Sequence, residues 1–317
     1  MVSGKYHSPK KVFYPKLFPP TFAPEEHFVF IKKVGNYLSL VKFSHTVFAM
    51  PFALIGFTLA ITRTDSHFDV LLLLKVILCM IFARTAAMAF NRYIDRDIDS
   101  QNSRTAIREI PNGVISPASA LTLVVLSSAA FIITTYSINQ ICFYLSPVAL
   151  LVVLGYSLTK RFTWLCHLIL GIGLSLAPIG AYLAVTGKFD LLPLFFSFTV
   201  ISWVSGFDII YALQDEEFDR KLKLNSMPVA FGKKGALNIS ILLHFLSVLF
   251  VFIAGLYLPF GYIYWIGFAI FTVLITYQHL IVKPNDLSRV NLAFFTTNGI
   301  ASIVFAAFVM ADLFLGK

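Results

Sequence analysis

The sequence predicts an all-α integral membrane protein with about nine transmembrane helices around a central cavity. Three observations carry that expectation. Of the 317 residues, 58% are hydrophobic and only 13% charged, and mean hydropathy is +0.80, too apolar for a chain folded in water. Apolar stretches of about 20 residues, the length that crosses a hydrocarbon core, recur at roughly 40–62, 70–94, 118–137, 141–159, 164–185, 191–213, 236–257, 260–281 and 291–315. No segment alternates in polarity over about 10 residues as a membrane β-strand would.

Along the chain, residues 1–36 read as a polar, basic N-terminal tail and interfacial segment, and residues 37–317 as a single transmembrane domain. Phe28, Ile31, Val34, Leu38 and Val41 fall at helical spacing, which suits a helix lying on the membrane surface. Between spans the connections are short except at about 100–117 and 220–235. The first ends in Pro111-Asn112-Gly113, a turn signal, and then Ser116-Pro117, a helix cap followed by proline at the first helical position. The second contains Pro228, Gly232 and Gly235. Both are expected to close as lids. Cys79, Cys142 and Cys166 are an odd set with no CxxC spacing and read as buried packing residues. Gly171, Gly173, Gly232 and Gly235 follow no strand, so they read as packing and turn glycines rather than nucleotide loops.

The net charge is +9, and its distribution is informative. Lys and Arg concentrate in the N-terminal region and in alternate loops: Arg92, Arg96, Arg104 and Arg108, then Lys160 and Arg161, then Arg220, Lys221, Lys223, Lys233 and Lys234, then Lys283 and Arg289. Positive loops face the cytoplasm, so the N-terminus and these loops are expected on the cytoplasmic side of an inner membrane. Charge spread in this way forms no single basic patch, and nucleic acid is not an expected partner; membrane lipids are. Lys75, near the outer end of its span, is expected to snorkel.

Eight of the 16 acidic residues fall in two segments at the ends of apolar spans. On a continuous helix Asn91, Asp95 and Asp99 lie within roughly 80° of one another, and Asp208, Asp215 and Asp219 within roughly 40°. Each set is an acidic stripe, while Asp97, Glu216 and Glu217 point away and read as solvated charges. Facing carboxylates repel unless a cation lies between them, and all-oxygen sites suit Mg²⁺ carrying a diphosphate. Asp95 and Asp215 are 120 residues apart, as are Asp99 and Asp219, which suggests two four-helix halves with a ninth helix appended.

Asn91-xxx-Asp95-xxx-Asp99, then Asn102-Ser103-Arg104-Thr105 and Arg108-Glu109-Ile110-Pro111-Asn112-Gly113, then Tyr156-Ser157-Leu158-Thr159-Lys160-Arg161, then Asp208-xx-Tyr211-xxx-Asp215-xxx-Asp219, resemble in order and spacing the UbiA-type intramembrane aromatic prenyltransferases. The resemblance runs from about residue 36 onward. It implies a nine-span helical fold, Mg²⁺-dependent transfer of a polyprenyl chain from a polyprenyl diphosphate to an aromatic acid, and a lateral opening for the lipid tail. Asp95, Asp99, Asp215 and Asp219 would hold the metal and Asn91 would share in holding the first ion and the diphosphate. Asp208 and Tyr211 would line the cavity with Tyr156, and Arg104, Lys160 and Arg161 would stabilise the departing diphosphate. Lys42 and His45, one turn apart, would meet the carboxylate of the acceptor. Arg84, about two turns before Asn91, needs a partner inside the bundle, either a ladder carboxylate or that of the acceptor. After Asp219 the family often shows Gly-Ile-Lys-Ser, where this chain has Lys221-Leu222-Lys223-Leu224-Asn225-Ser226.

The segments around His45 and Arg84 resemble the branch acting on quinone precursors, which implies 4-hydroxybenzoate as acceptor in respiratory quinone biosynthesis. A dihydroxynaphthoate of menaquinone biosynthesis is the alternative within that class. A cation-coupled transporter is the alternative outside it, although transport sites lie near the bilayer midplane and these stripes run into basic loops.

Overall fold

The computed structural model describes residues 34–41, 48–64 and 66–316. Lys42 and His45, most of the basic tail and part of the expected surface helix lie outside them. Among the described residues every regular element is a helix and no strand forms. Residues 34–40 belong to α1, with Val34 and Leu38 outward and Leu40 packed inward. Then follow α2 (Met50–Arg63), α3 (Val70–Ile94), α4 (Arg96–Asp99), α5 (Pro117–Tyr136), α6 (Gln140–Thr159) and α7 (Cys166–Thr186). After these come α8 (Leu192–Ala212), a 3-10 turn (Leu213–Asp215), α9 (Glu216–Lys221), α10 (Met227–Tyr257), α11 (Tyr262–Ile281), a π-helical turn (Leu292–Thr297) and α12 (Asn298–Leu315).

Among the described residues eight helical segments are long and apolar enough to span a bilayer, and α2 is a shorter apolar helix of 14 residues. At 1.5 Å per residue α2 covers about 21 Å, short of a hydrocarbon core of about 30 Å. The expected nine spans thus appear as eight plus this short helix. Large apolar side chains such as Leu126, Ile133, Leu151, Phe245 and Val273 point outward, a surface suited to lipid and not to water.

The bundle is organised around α8, the most enclosed long helix. Its small polar residues let neighbours approach and tie them in, as is usual between membrane helices. Ser205 Oγ donates to His167 O at 3.1 Å and Ser197 Oγ to Ser175 O at 3.0 Å, and in return Ser240 Oγ of α10 donates to Gly206 O of α8 at 2.7 Å. Gly171 behaves as the packing glycine the sequence suggests, since a Cβ there would lie 2.6 Å from Ile201 O. Gly173 does not, its nearest neighbour being 3.7 Å away. The three cysteines are free and half-buried rather than buried. Lys75 Nζ donates to Ser137 O at 2.7 Å, closing the C-terminal end of α5.

Both ladders are broken helices, not continuous ones. Asp95 sits between α3 and α4 at φ −91°, ψ 3°, and Asp215 between the 3-10 turn and α9 at φ −102°, ψ 1°. These positions, 120 residues apart, share one bridge-region conformation. One turn beyond each irregularity Asp99 and Asp219 are buried. The first long loop ends as expected, with Ser116 Oγ accepting from Ser119 N at 3.1 Å to cap α5. The second is shorter than expected. Ser226 caps α10, Pro228 lies in its first turn, and only the left-handed Gly232 (φ 67°) interrupts it.

Candidate active site

Where α3, α8 and their broken ends converge, the bundle encloses a cavity of about 630 Å³. Arg84, Asn91, Asp95, Asp99, Arg104, Tyr156, Lys160, Asp208, Tyr211, Asp215 and Asp219 all line it. Arg161 joins them through Asp95. The two ladders therefore face one space, and the loop after the first reaches across to the second.

Each ladder carries cations. Asp95 is buried and accepts from Arg161 Nη2 at 2.9 Å, with Lys160 Nζ at 3.8 Å, and Asn91 Nδ2 donates to it at 3.1 Å. Arg161 also donates to Ile94 O at 2.9 Å, closing the C-terminal end of α3, where a positive charge is favoured. Burial pushes the Asp95 carboxyl above its ordinary range, and the charges of Lys160 and Arg161 only partly oppose it. Both oxygens of Asp99 accept from Arg108 at 2.7 Å. Asp215 accepts from Asn102 Nδ2 and from Arg104 Nε, each at 3.1 Å, and pairs again with Arg104 Nη2. Burial works against the Arg104 charge, but the Asp215 carboxylate and the Tyr211 phenol more than offset it and raise its pKa. Asp219, buried on the same wall, makes no ion pair among the described residues.

One side of the cavity is aromatic. Tyr211 stacks on Phe294 at 4.2 Å between centroids, and Phe48 and Phe207 close around Phe294. Arg104 Nη1 donates to Tyr211 Oη at 2.8 Å while its guanidinium lies 5.1 Å from the ring centre. Phe294 and Phe295 are successive residues, yet both face the cavity, because they belong to the wide π-helical turn. Asn298 Nδ2 sustains that turn by donating to Ala293 O at 3.1 Å and Phe294 O at 3.0 Å.

Some site residues escaped the sequence reading. His167 Nδ1 lies 2.7 Å from Asp208, and its Nε2 accepts from Met227 N at 3.3 Å, so the neutral ring carries its proton on Nδ1 and donates to Asp208. The available signal was a histidine inside an apolar span, which requires a partner. Arg92 and Arg108 also line the cavity; Arg92 was read only as a loop charge, and Arg108 as a loop charge and a motif residue with no site role. Glu216 was expected to be solvated, but its side chain is only 12% exposed and pairs with Arg220 at 2.7 Å. Asp97 and Glu217 are exposed as expected. The altered stretch after Asp219 ends α9 in a Schellman turn, with Leu224 N donating to Asp219 O at 2.9 Å and Lys223 N to Arg220 O at 3.3 Å. Lys223 takes the left-handed position at φ 56°, a conformation that favours glycine.

No cluster of three or more His, Cys, Asp or Glu that could hold a metal occurs among the described residues. Mg²⁺ needs fewer, because it takes one or two carboxylates and completes its shell with phosphate oxygens and water. The donor set fits it: the ligand candidates are all oxygens on one cavity, and fixed cations now rest on three of the four ladder carboxylates. A second, apolar cavity of about 370 Å³ adjoins the first, sharing Arg84, Met88, Tyr156, Leu170 and Leu174 with it.

Comparison with known proteins agrees with this architecture. The 4-hydroxybenzoate octaprenyltransferase of Nitrosospira multiformis is 30% identical over 240 residues, 75% of this chain and 82% of that one. That of Francisella tularensis subsp. novicida is 30% identical over 227 residues, 71% and 79% respectively. The apo structure of a UbiA homolog from Aeropyrum pernix K1 superposes with a TM-score of 0.77 at 31% identity, covering 84% of this chain and 98% of that one. A UbiA homolog from Archaeoglobus fulgidus bound to GPP and Mg²⁺ shares the fold at a TM-score of 0.67 and 21% identity, over 88% of this chain and all of that one. Residues 49–300 match the UbiA prenyltransferase family, and the chain belongs to it as an integral membrane prenyltransferase.

Proposed function

We propose that this enzyme transfers a polyprenyl chain from a polyprenyl diphosphate to an aromatic acid, with 4-hydroxybenzoate as acceptor, in respiratory quinone biosynthesis. The observation that carries the reading is the meeting of two carboxylate ladders, their cations and an aromatic wall in one cavity. The relatives named above are 4-hydroxybenzoate octaprenyltransferases, which supports that acceptor and a long prenyl chain. The adjoining apolar cavity suits part of such a chain. On the charge distribution, the cavity mouth faces the cytoplasm.

Asp95 and Asp99, with Asn91, would hold one Mg²⁺, and Asp215 and Asp219 another. When bound, Mg²⁺ supplies Lewis-acid neutralisation of a diphosphate leaving group. Lys160, Arg161 and Arg104, each resting on a ladder carboxylate in this structure, become donors to diphosphate oxygens, where developing charge makes such bonds strongest. Tyr211, Phe294 and Phe207 present ring faces and edges that favour an allylic cation and keep water from it. Asp208, 2.7 Å from His167 Nδ1, is the carboxylate positioned to accept the proton released when the acceptor ring regains aromaticity. Membranes containing the enzyme, given labelled polyprenyl diphosphate with 4-hydroxybenzoate or a dihydroxynaphthoate, with and without Mg²⁺, test the reading. Label must enter 4-hydroxybenzoate and must depend on the metal; transfer only to the naphthoate, or equal transfer in excess chelator, refutes it.

A further inference from the structure

Behind the aromatic wall three fully buried polar side chains meet from three helices: Trp203 of α8, Gln278 of α11 and Asn298 at the start of α12. None of the three lines either cavity. In an apolar bundle such groups are costly unless their polar atoms find partners. A tryptophan N–H can only donate. Trp203 Nε1 lies 2.9 Å from one end of the Asn298 amide, so that end is Oδ1. Gln278 then has to turn its Nε2 to the same oxygen, donating at 2.7 Å, although this leaves Gln278 Oε1 buried and without a hydrogen bond among the described residues. The Asn298 amide is thereby locked with Nδ2 toward the π-helical turn, where it donates to Ala293 O and Phe294 O.

What the lock holds is the wall itself. Phe294 stacks on Tyr211 at 4.2 Å between centroids, and Phe295 meets the same ring edge-on at 5.9 Å. Successive residues of an α-helix are turned by about 100°, so a turn tightened from π to α geometry would bring only one of these two rings to Tyr211. Trp203 also packs on Phe207, one turn along α8, at 5.1 Å, and Phe207 packs on Phe294 at 5.3 Å. One indole therefore sets the wall twice, through its ring and through its N–H. The unpartnered Gln278 oxygen is a stability cost that calls for a reason, and aiming Asn298 supplies one.

We propose that Asn298, held by Trp203 and Gln278, is a positioning residue of the aromatic wall and thereby sets how the allylic cation divides between the acceptor ring and water, an inference that rests on the aromatic-acid reading given above. Attack by the ring forms a carbon–carbon bond and releases the ring proton. Attack by water forms a carbon–oxygen bond and, on loss of a proton, a free prenyl alcohol. Both routes consume one cation and release one diphosphate, so their ratio reports what lies against the cation and not how much of the enzyme is folded. A wall with both rings in place keeps water from that face; a wall that has lost one admits it.

The test measures free prenyl alcohol against prenylated acid, per diphosphate released, in purified wild type, Asn298→Asp and Gln278→Met given labelled polyprenyl diphosphate and 4-hydroxybenzoate. Asn298→Asp keeps the oxygen that Trp203 and Gln278 hold and replaces the Nδ2 donor. Gln278→Met keeps the volume and removes one of the two donors together with the unpartnered oxygen, so its thermal unfolding midpoint is expected to stay at the wild-type value. The alcohol fraction is expected to rise about tenfold in Asn298→Asp and about threefold in Gln278→Met, with KM for the diphosphate within about twofold of wild type. A wild-type alcohol fraction in either variant, or a rise in Gln278→Met that comes only with a lowered midpoint, overturns the inference and leaves the aromatic-acid reading standing; Gln278→Met decides alone if Asn298→Asp does not fold. A wild type that prenylates no aromatic acid overturns both.

Discussion

Replacing Arg104 by alanine should move two measurable quantities in opposite directions. In the ligand-free protein Arg104 occupies Asp215 through two of its nitrogens and reaches Tyr211 with a third. Opposite charges about 3 Å apart attract by roughly 5 kcal/mol at an effective permittivity of about 20. The two side chains are 31% and 19% exposed, however, and solvent screening brings such a pair to about 1 kcal/mol. A divalent ion binding at Asp215 must displace that partner. Arg104→Ala should therefore tighten Mn²⁺, a spectroscopic substitute for Mg²⁺, by about fivefold in the absence of substrate. With substrate bound the same residue donates to the departing diphosphate, and losing one such donor costs about 100- to 1,000-fold in kcat. Arg104→Lys retains the charge but not the fork, so its kcat should fall between the two. Electron paramagnetic resonance titration of Mn²⁺ and single-turnover transfer on the same preparations would measure both effects. Weaker Mn²⁺ binding in Arg104→Ala, or a kcat within tenfold of wild type, would refute the reasoning, because either result separates Asp215 from the metal or Arg104 from the leaving group.

Three further outcomes are expected. Asp95→Ala and Asp215→Ala should each reduce transfer below about 1% of wild type, and the double variant should be little worse than either, since groups that act as a unit are not additive; a fully additive double variant in a single-turnover assay would argue for independent sites. Lys223→Gly should stabilise the protein by about 0.5 kcal/mol, because relief of left-handed strain exceeds the added entropy of the unfolded chain, and thermal unfolding in detergent with a lowered midpoint would contradict the strain seen at φ 56°. Gly56→Ala should destabilise it by about 1–3 kcal/mol, since a Cβ there would lie 2.0 Å from Pro178 O and the backbone of α7 cannot yield as a side chain could; an unchanged midpoint would mean that α2 and α7 pack less closely than described.

How much of this was legible in the sequence follows from the range of the forces involved. Span positions, the cap at Ser116-Pro117 and the acidic segments depend on local composition and spacing, and the structure has them close to where they were expected. The first span was drawn at about 40–62, but the described helix is Met50–Arg63; hydropathy averages over a window and does not mark where a helix begins. Helical periodicity carries no signal for the bridge-region angles at Asp95 and Asp215, yet the stripes it draws do reach one cavity. The partners of the ladders depend on contacts across more than 60 residues of chain, as between Arg161 and Asp95, or more than 100, as between Arg104 and Asp215. Net charge showed that cations would lie near these loops without showing which carboxylate each would take. The π-helical turn at Leu292–Thr297 was hidden for the same reason, since what sustains it is one side chain, Asn298, reaching back to two carbonyls.

The breaks give the internal repeat a physical meaning that spacing alone did not. At Asp95 the backbone takes a bridge-region conformation, and Asp215 does the same 120 residues later with nearly the same angles. Two similar halves, each sending one broken helix end to a shared space, place two carboxylate pairs opposite each other without any loop having to carry a ligand. That arrangement suits a leaving group with two phosphoryl units better than one pair could. The connecting loop, through Asn102 and Arg104, also crosses to the second ladder, a polar tie between the halves beside the packing of α2 and α6 against α7.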